Sequence, residues 1–317
     1  MTESTAWQDI DAALGNEYIL VREAPLAAGF SSFEAKSKTD GSAVEIKSVP
    51  ASIFAGRAPL KDSDLAGRKL QHPNILPVVA AGVAGNSYFW LSPAVEGRTL
   101  RTRLSRGGRV GIGDSLTVLR DVSAALTHAH LHGVVHGGLT PDSVVISGGS
   151  ALVADVGIPE VFAALRSAGA SAAAMNPAAV EPLRYSSPEL ATLGHADARS
   201  DVYSWGVLAY ELLGGRHPFA GRNTPRQMLA AHADEDPQPL ASGQGAVPSA
   251  VSRLVMRALS KDPSKRPESA REVLAVLTKE MLVPPPAPAA GAGQKVVIAL
   301  MIGAMLLLAA ITWLGTR

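Results

Sequence analysis

The chain has no cysteine in its 317 residues. Disulfides and thiolate metal sites are therefore excluded, and a reducing compartment is compatible with the composition. Charge of one sign is missing too. The 29 Lys and Arg nearly balance the 28 Asp and Glu, leaving a formal net charge of +1 and no long run of either sign. Composition thus offers no electrostatic footprint for nucleic acid, and none is expected as a partner. The N-terminus, Met1-Thr2-Glu3-Ser4-Thr5, lacks a basic segment followed by an apolar core, so it does not read as a secretory signal. What the sequence does have is apolar content, 47% of residues, enough for a sizeable core in one large domain or two ordinary ones.

The apolar residues are unevenly spread. Val296 to Leu314 carries no charge and is rich in Leu, Ile, Met and Ala. As a helix this stretch would span roughly 28 Å, close to the hydrocarbon thickness of a bilayer. Lys295 and Arg317 bracket it, and Trp313 falls where the membrane–water interface favours Trp. Residues 295–317 are therefore expected to form a C-terminal transmembrane helix with short flanks. Just upstream, residues 283–294 contain Pro284, Pro285, Pro286 and Pro288 followed by Ala and Gly. That composition reads as a linker, extended in its first half and flexible in its second.

Ahead of the linker, residues 1–17 read as an N-terminal extension and 18–282 as one soluble domain. Tyr18–Val21, Ala43–Lys47, Ile75–Val79 and Tyr88–Leu91 are strand candidates, with Asp40-Gly41 as a hairpin signal. After Gly97 the period becomes helical. Leu116, Leu119, Val122, Leu126 and Ala129 mark one face of a helix expected to start at an Asp114 cap and to stop at Gly133. Two short β runs follow, Val144–Ile146 and Ala151–Ala154. Helices are then expected around 201–213, 225–232, 250–259 and 269–279. Strands first and helices afterwards predict an α+β domain in two segregated parts.

Residues 136–143 read His-Gly-Gly-Leu-Thr-Pro-Asp-Ser, followed by Val153-Ala154-Asp155-Val156-Gly157. This pair resembles the catalytic loop, H-R-D-L-K-P-x-N, and the metal loop, D-F-G, of bacterial serine/threonine protein kinases. Further landmarks follow in family order: Val44-Glu45-Ile46-Lys47, His72-Pro73-Asn74-Ile75, Val95-Glu96-Gly97, Ser187-Pro188-Glu189, Arg199-Ser200-Asp201 and Arg266. The resemblance covers about Tyr18 to Leu282. It implies a protein-kinase-like bilobal domain, with a small β-rich lobe and a larger helical lobe. It also implies that Lys47 reaches the nucleotide phosphates, that Asp155 serves nucleotide and metal, that Asp201 holds the catalytic loop, and that Glu189 pairs with Arg266.

Against that pattern the transfer chemistry is degraded. Gly137 stands for the arginine, Gly138 for the catalytic aspartate, Thr140 for the lysine and Ser143 for the metal-binding asparagine. No catalytic residue is therefore assigned, and Ser143 would be a weak metal ligand at best. The phosphate-covering loop reads Leu26-Ala27-Ala28-Gly29-Phe30-Ser31 without the motif glycines. The helix C candidate, residues 62–70, has no glutamate, and Pro182 replaces a threonine near the substrate. Asp142 is expected to point away from the substrate. In the presumed activation segment, Ile158 to Val180, Ser167 and Ser171 read as part of a solvated loop. His128, His130 and His132 read as packed or solvated rather than metal-binding.

The losses gather around the γ-phosphate and the attacking hydroxyl, while fold-keeping residues remain. The expectation is a membrane-anchored pseudokinase acting through protein partners, with ATP and Mg2+ bound weakly or not at all. An active kinase with atypical residues and a nucleotidyl transferase on the same fold are the alternatives. The kinase-like domain is expected in the cytoplasm with the C-terminal helix as its anchor. Deleting residues 295–317 should then move the protein from the membrane fraction to the soluble fraction. Full-length protein that stays soluble without lipid or detergent would contradict that topology.

Overall fold

The computed structural model describes residues 4–25, 31–50, 70–105, 110–158, 183–193, 196–241 and 247–282. The chain divides into two compact units, Met1–Glu280 and Met281–Arg317. The first is described below. The linker, the expected membrane segment, Leu26 to Phe30 of the phosphate-covering loop, the helix C candidate up to Lys69, Pro182, and Ser167 and Ser171 lie outside the described residues. Among the described residues no helix is long and apolar enough to cross a membrane.

The small lobe is built on a five-stranded antiparallel sheet of order β1-β2-β3-β5-β4. The strands are β1 (Tyr18–Pro25), β2 (Ser31–Ser37), β3 (Ala43–Pro50), β4 (Ala80–Ala84) and β5 (Ser87–Pro93). Side chains alternate across a strand. Val44 and Ile46 of β3 therefore share one face with Phe33, Phe89 and Leu91 in a single apolar cluster. Lys47 projects to the other face. The expected strand Ile75–Val79 is corrected to β4, residues 80–84. Pro77 has no N–H for a ladder, and Ile75 contributes only an isolated parallel bridge to Val153.

The N-terminal extension is a helix, α1 (Thr5–Leu14), which packs on that apolar face. Ser4 caps it by accepting the Trp7 N–H at 2.9 Å, and the Ser4 hydroxyl in turn donates to Glu23 of β1 at 2.8 Å. Ile10 is fully buried in the cluster, and the Trp7 ring meets Phe33 edge-on at 6.0 Å. Asp9 accepts the Asn86 N–H at the β4–β5 turn (3.0 Å). Lys38 donates to the Gly15 carbonyl at the helix end.

The large lobe carries a three-stranded sheet, β6 (Arg98–Thr99), β7 (Val144–Ser147) and β8 (Ser150–Val153), and the helices. Helix α2 spans Leu100–Ser105 and α3 spans Ile112–Leu131. The α3 N-cap is Gly111, so Asp114 lies inside the first turn, where its charge still favours the helix dipole. Gly133, at φ +69°, follows the end of α3 as expected. Helices α4 (Pro188–Leu193), α5 (Ala198–Gly214), α6 (Pro225–Asp234), α7 (Ser249–Ala258) and α8 (Ala270–Leu282) complete the described set. Asp197 caps α5 by accepting the Ser200 N–H at 2.8 Å, and Gly215, at φ +74°, ends it. Trp205 is buried between α5 and α3, and its indole donates to the Leu119 carbonyl at 3.3 Å.

Because Ile10 is enclosed on all sides, Ile10→Ala is expected to destabilise the chain by about 2–5 kcal/mol, the usual range for a buried Ile truncated to Ala. Ile19→Ala, on the exposed face of β1 (54% exposed), should stay within about 0.5 kcal/mol. Urea unfolding of the two variants checks the contrast.

Candidate functional site

The loop His136–Ser143 is shaped by a carboxylate from α5. Asp201 is buried and accepts the backbone N–H of His136 on Oδ2 (2.8 Å) and that of Gly137 on Oδ1 (2.9 Å). His130 Nε2 meets the same Oδ2 at 2.8 Å, and since a carboxylate only accepts, that nitrogen carries the proton. Gly137 sits at φ +71°, where a side chain is strained. His136 is buried, and burial pushes its pKa down. Its Nδ1 accepts the Gly138 N–H at 3.3 Å, so the fully enclosed imidazole serves as a spacer inside the loop.

Beyond Leu139 a 3-10 turn, Pro141–Ser143, closes the loop. The Ser143 hydroxyl accepts the Thr140 N–H at 3.1 Å and donates to the Thr140 carbonyl at 2.9 Å. Asp142 turns outward, and its Oδ2 meets Arg101 Nε at 3.2 Å with more than half of its side chain exposed. Arg101 in turn lies over the Tyr185 ring at 5.5 Å, and the Tyr185 hydroxyl donates to Glu211.

Asp155 follows β8, held in place as Ala154 N–H bonds to the Ser143 carbonyl at 2.8 Å. It is the one non-glycine residue with positive φ among the described residues, at +63°. Asp tolerates that region better than most side chains. Its Oδ2 accepts from Lys47 Nζ at 2.7 Å, and its Oδ1 accepts from the Trp90 indole N–H at 2.8 Å. Burial opposes both charges. Even so, the pair holds: attraction raises Lys47 above its ordinary value and lowers Asp155 below its own.

The structure thus brings Lys47, Gly138, Thr140, Ser143 and Asp155 into one loop system spanning the two lobes. It also forms the Glu189–Arg266 pair. Arg266 is 3% exposed and grips both Glu189 oxygens at 2.7 and 2.8 Å. Burial works against the Glu189 charge, but hydrogen bonds from Arg266 and Ser200 hold its pKa down at about 2. The residues that sequence reasoning missed are Trp90, His217 and His232. Pairing β3 with β5 would have found the first, because Trp90 is the register partner of Lys47. His128 stacks with His72 at 5.0 Å and with His132 at 4.3 Å, and no group of three His, Asp or Glu among the described residues is arranged to hold a metal.

A five-stranded small lobe with its lysine on β3, a helical large lobe, and two loops meeting between them define a kinase-type bilobal fold. A protein kinase domain family model matches residues 32–276, and the chain belongs to that family. It is 32% identical over 250 residues to the serine/threonine-protein kinase PknB of Mycolicibacterium smegmatis, covering 71% of this chain and 39% of that protein. It is 35% identical over 210 residues to the serine/threonine-protein kinase pkn2 of Myxococcus xanthus, covering 64% and 25%. With the serine/threonine-protein kinase PrkC of Bacillus subtilis it shares 28% identity over 205 residues, covering 64% and 31%. The chain thus matches less than half the length of each of these relatives.

Membership implies ATP and Mg2+ as the family's nucleotide and metal. Lys47 is the residue that would meet a phosphate, and its ammonium is paired with Asp155 here. The metal positions do not fit as they stand. Asp155 is engaged on both oxygens, and the Ser143 hydroxyl is committed to Thr140.

Two buried histidines secure the segment after position 182. His217 Nε2 and His232 Nε2 both approach the Arg184 carbonyl, at 2.8 and 2.9 Å, so both must donate. Each Nδ1 accepts, from the Phe219 N–H at 3.1 Å and from the Tyr203 hydroxyl at 2.9 Å respectively. Both rings are therefore neutral. Burial first lowers both pKa values, to about 4 and about 3; the Arg184 charge adds to this for His217, and for His232 the repulsion that a second protonated ring at His217 would exert adds to it, with the Lys261 charge. An unfolded His titrates near 6.5. Their contribution to stability is thus complete above that pH and is lost as pH falls through the window down to about 4 and about 3. The melting temperature should drop on acidification below about pH 6.5. In a His217→Gln/His232→Gln variant, whose amides can still donate to Arg184, the drop should be shallower. An unchanged slope would assign the acid sensitivity elsewhere.

Proposed function

We propose that this chain is a pseudokinase, a kinase-fold module that signals through protein contacts and does not transfer phosphate. One observation carries the reading. At the position of the family's catalytic carboxylate stands Gly138, and the next carboxylate along the loop, Asp142, faces outward to Arg101. Transfer needs a carboxylate to orient the attacking hydroxyl and metal to spread the charge. The first has no side chain to supply it, and the second finds Asp155 and Ser143 already engaged. The parts that keep the loops in shape, Asp201 and the Glu189–Arg266 pair, are intact. Retained shape with lost transfer chemistry supports a docking role. The apolar run Val296–Leu314 supports placing that role at a membrane, with the kinase-like domain on the cytoplasmic side.

ATP binding in this reading is weak or absent and depends on Lys47. A general acid–base group is commonly worth about 10²–10⁴ in rate, so radiolabelled ATP should give no peptide phosphorylation above background. Robust phosphorylation that disappears in Asp155→Ala would instead identify an active kinase with atypical residues. Transfer of the nucleotide rather than its γ-phosphate would identify a nucleotidyl transferase. Ligand stabilises a fold by RT ln(1 + [L]/Kd), so millimolar ATP should raise the melting temperature only modestly, and Lys47→Ala should abolish the rise. A tight complex indifferent to Lys47→Ala would place the nucleotide site elsewhere.

A further inference from the structure

Trp90 and Lys47 are opposite each other in the β3–β5 ladder. Opposed residues on one face have Cβ atoms about 4.5–5.5 Å apart, so an indole and an ammonium leave the sheet side by side. Both converge on one carboxylate, Lys47 at 2.7 Å from Oδ2 and Trp90 at 2.8 Å from Oδ1 of Asp155. Trp90 and Asp155 are enclosed, at 2% and 6% exposed, and the Lys47 side chain is mostly covered. An indole N–H can only donate, and a buried donor left unpaired is unfavourable. The Asp155 backbone, in the left-handed region at φ +63°, aims the carboxylate at this pair.

We propose that Trp90 is an internal lock on Asp155: its indole N–H, with the Lys47 ammonium, satisfies both carboxylate oxygens and keeps that group from taking a divalent cation. The inference deepens the reading of this cleft as one that has left phosphoryl transfer. It assigns the loss of metal to a residue that is present as well as to the altered Ser143. A hard cation such as Mg2+ wants carboxylate oxygens at about 2.0–2.1 Å in near-octahedral order. Here the carboxylate charge is already matched by Lys47, and the indole dipole points its positive end at the remaining oxygen. A cation on that oxygen of Asp155 would compete with the indole N–H for it.

The test is Mn2+ binding to the purified full-length chain, followed by loss of the free Mn2+ electron paramagnetic resonance signal with no nucleotide present. Wild type is expected to show no site that depends on Asp155 at millimolar Mn2+. Trp90→Phe keeps a ring but removes the N–H. It is expected to gain a site at least about tenfold tighter, roughly 1.4 kcal/mol, that disappears in Trp90→Phe/Asp155→Ala. Trp90→Met serves as a second variant if the phenylalanine does not fold. In wild type with 15N-labelled tryptophan, an indole N–H resonance should shift on Asp155→Ala. A wild-type Mn2+ site lost on Asp155→Ala, equal Mn2+ affinity in the position-90 variants and wild type, or indole resonances unmoved by Asp155→Ala would each overturn the lock. None of these measurements uses phosphate transfer. Phosphorylated peptide would sink the pseudokinase reading, whereas the Mn2+ comparison judges Trp90 alone.

Discussion

The arrangement of the candidate site depends on one buried carboxylate. Asp201 gathers two consecutive backbone N–H groups and one imidazole, and so fixes His136 and Gly137 against the first turn of α5. From there the chain has little freedom. His136 spaces the turn, Leu139 is fully buried, and the 3-10 turn hands the chain to β7. β7 pairs with β8, and β8 delivers Asp155. An unpaired carboxylate at that depth would be strongly destabilising. The bonds to the loop are therefore as necessary to Asp201 as Asp201 is to the loop.

The second constraint joins the lobes. Lys47 belongs to the small-lobe sheet and Asp155 to the large lobe, so their ion pair couples the two. The sheet that carries Lys47 is packed on both faces. One side holds α1 and the cluster around Ile10, and the other turns Trp90 towards the cleft. With Trp90 and Lys47 sharing one carboxylate, the cleft end of the sheet is tied down by a charge and a dipole at once. The same interaction that supports the fold occupies the group on which metal chemistry would rely.

Much of this was legible in the sequence. The alternating run Ala43–Lys47 and the apolar run Tyr88–Leu91 pointed to β3 and β5, the helical spacing from Leu116 to Ala129 pointed to α3, and the ordered motifs anticipated Asp201 on the loop and the Glu189–Arg266 pair. The Ile75–Val79 run misled because apolar content alone does not form a ladder, and Pro77 lacks a donor. Asp114 misled by three positions because an acidic residue suits both the cap and the first turn of a helix. Helix α1 was passed over although Trp7, Ile10 and Leu14 keep a helical spacing, since ten residues are too few to be stable without a surface to pack on. Trp90 stayed hidden for a different reason. Its meaning comes from a partner 65 positions away, and only strand register and the left-handed turn at Asp155 bring them together.

His217 and His232 do not touch the side chain of Arg184 in the bonds that secure it; they hold its carbonyl oxygen. A segment anchored by its peptide oxygen presents a backbone of fixed shape, whatever side chains it bears. Position 184 is thus a socket whose mounting is separate from its fitting. The exposed groups there can be exchanged without rebuilding the support beneath.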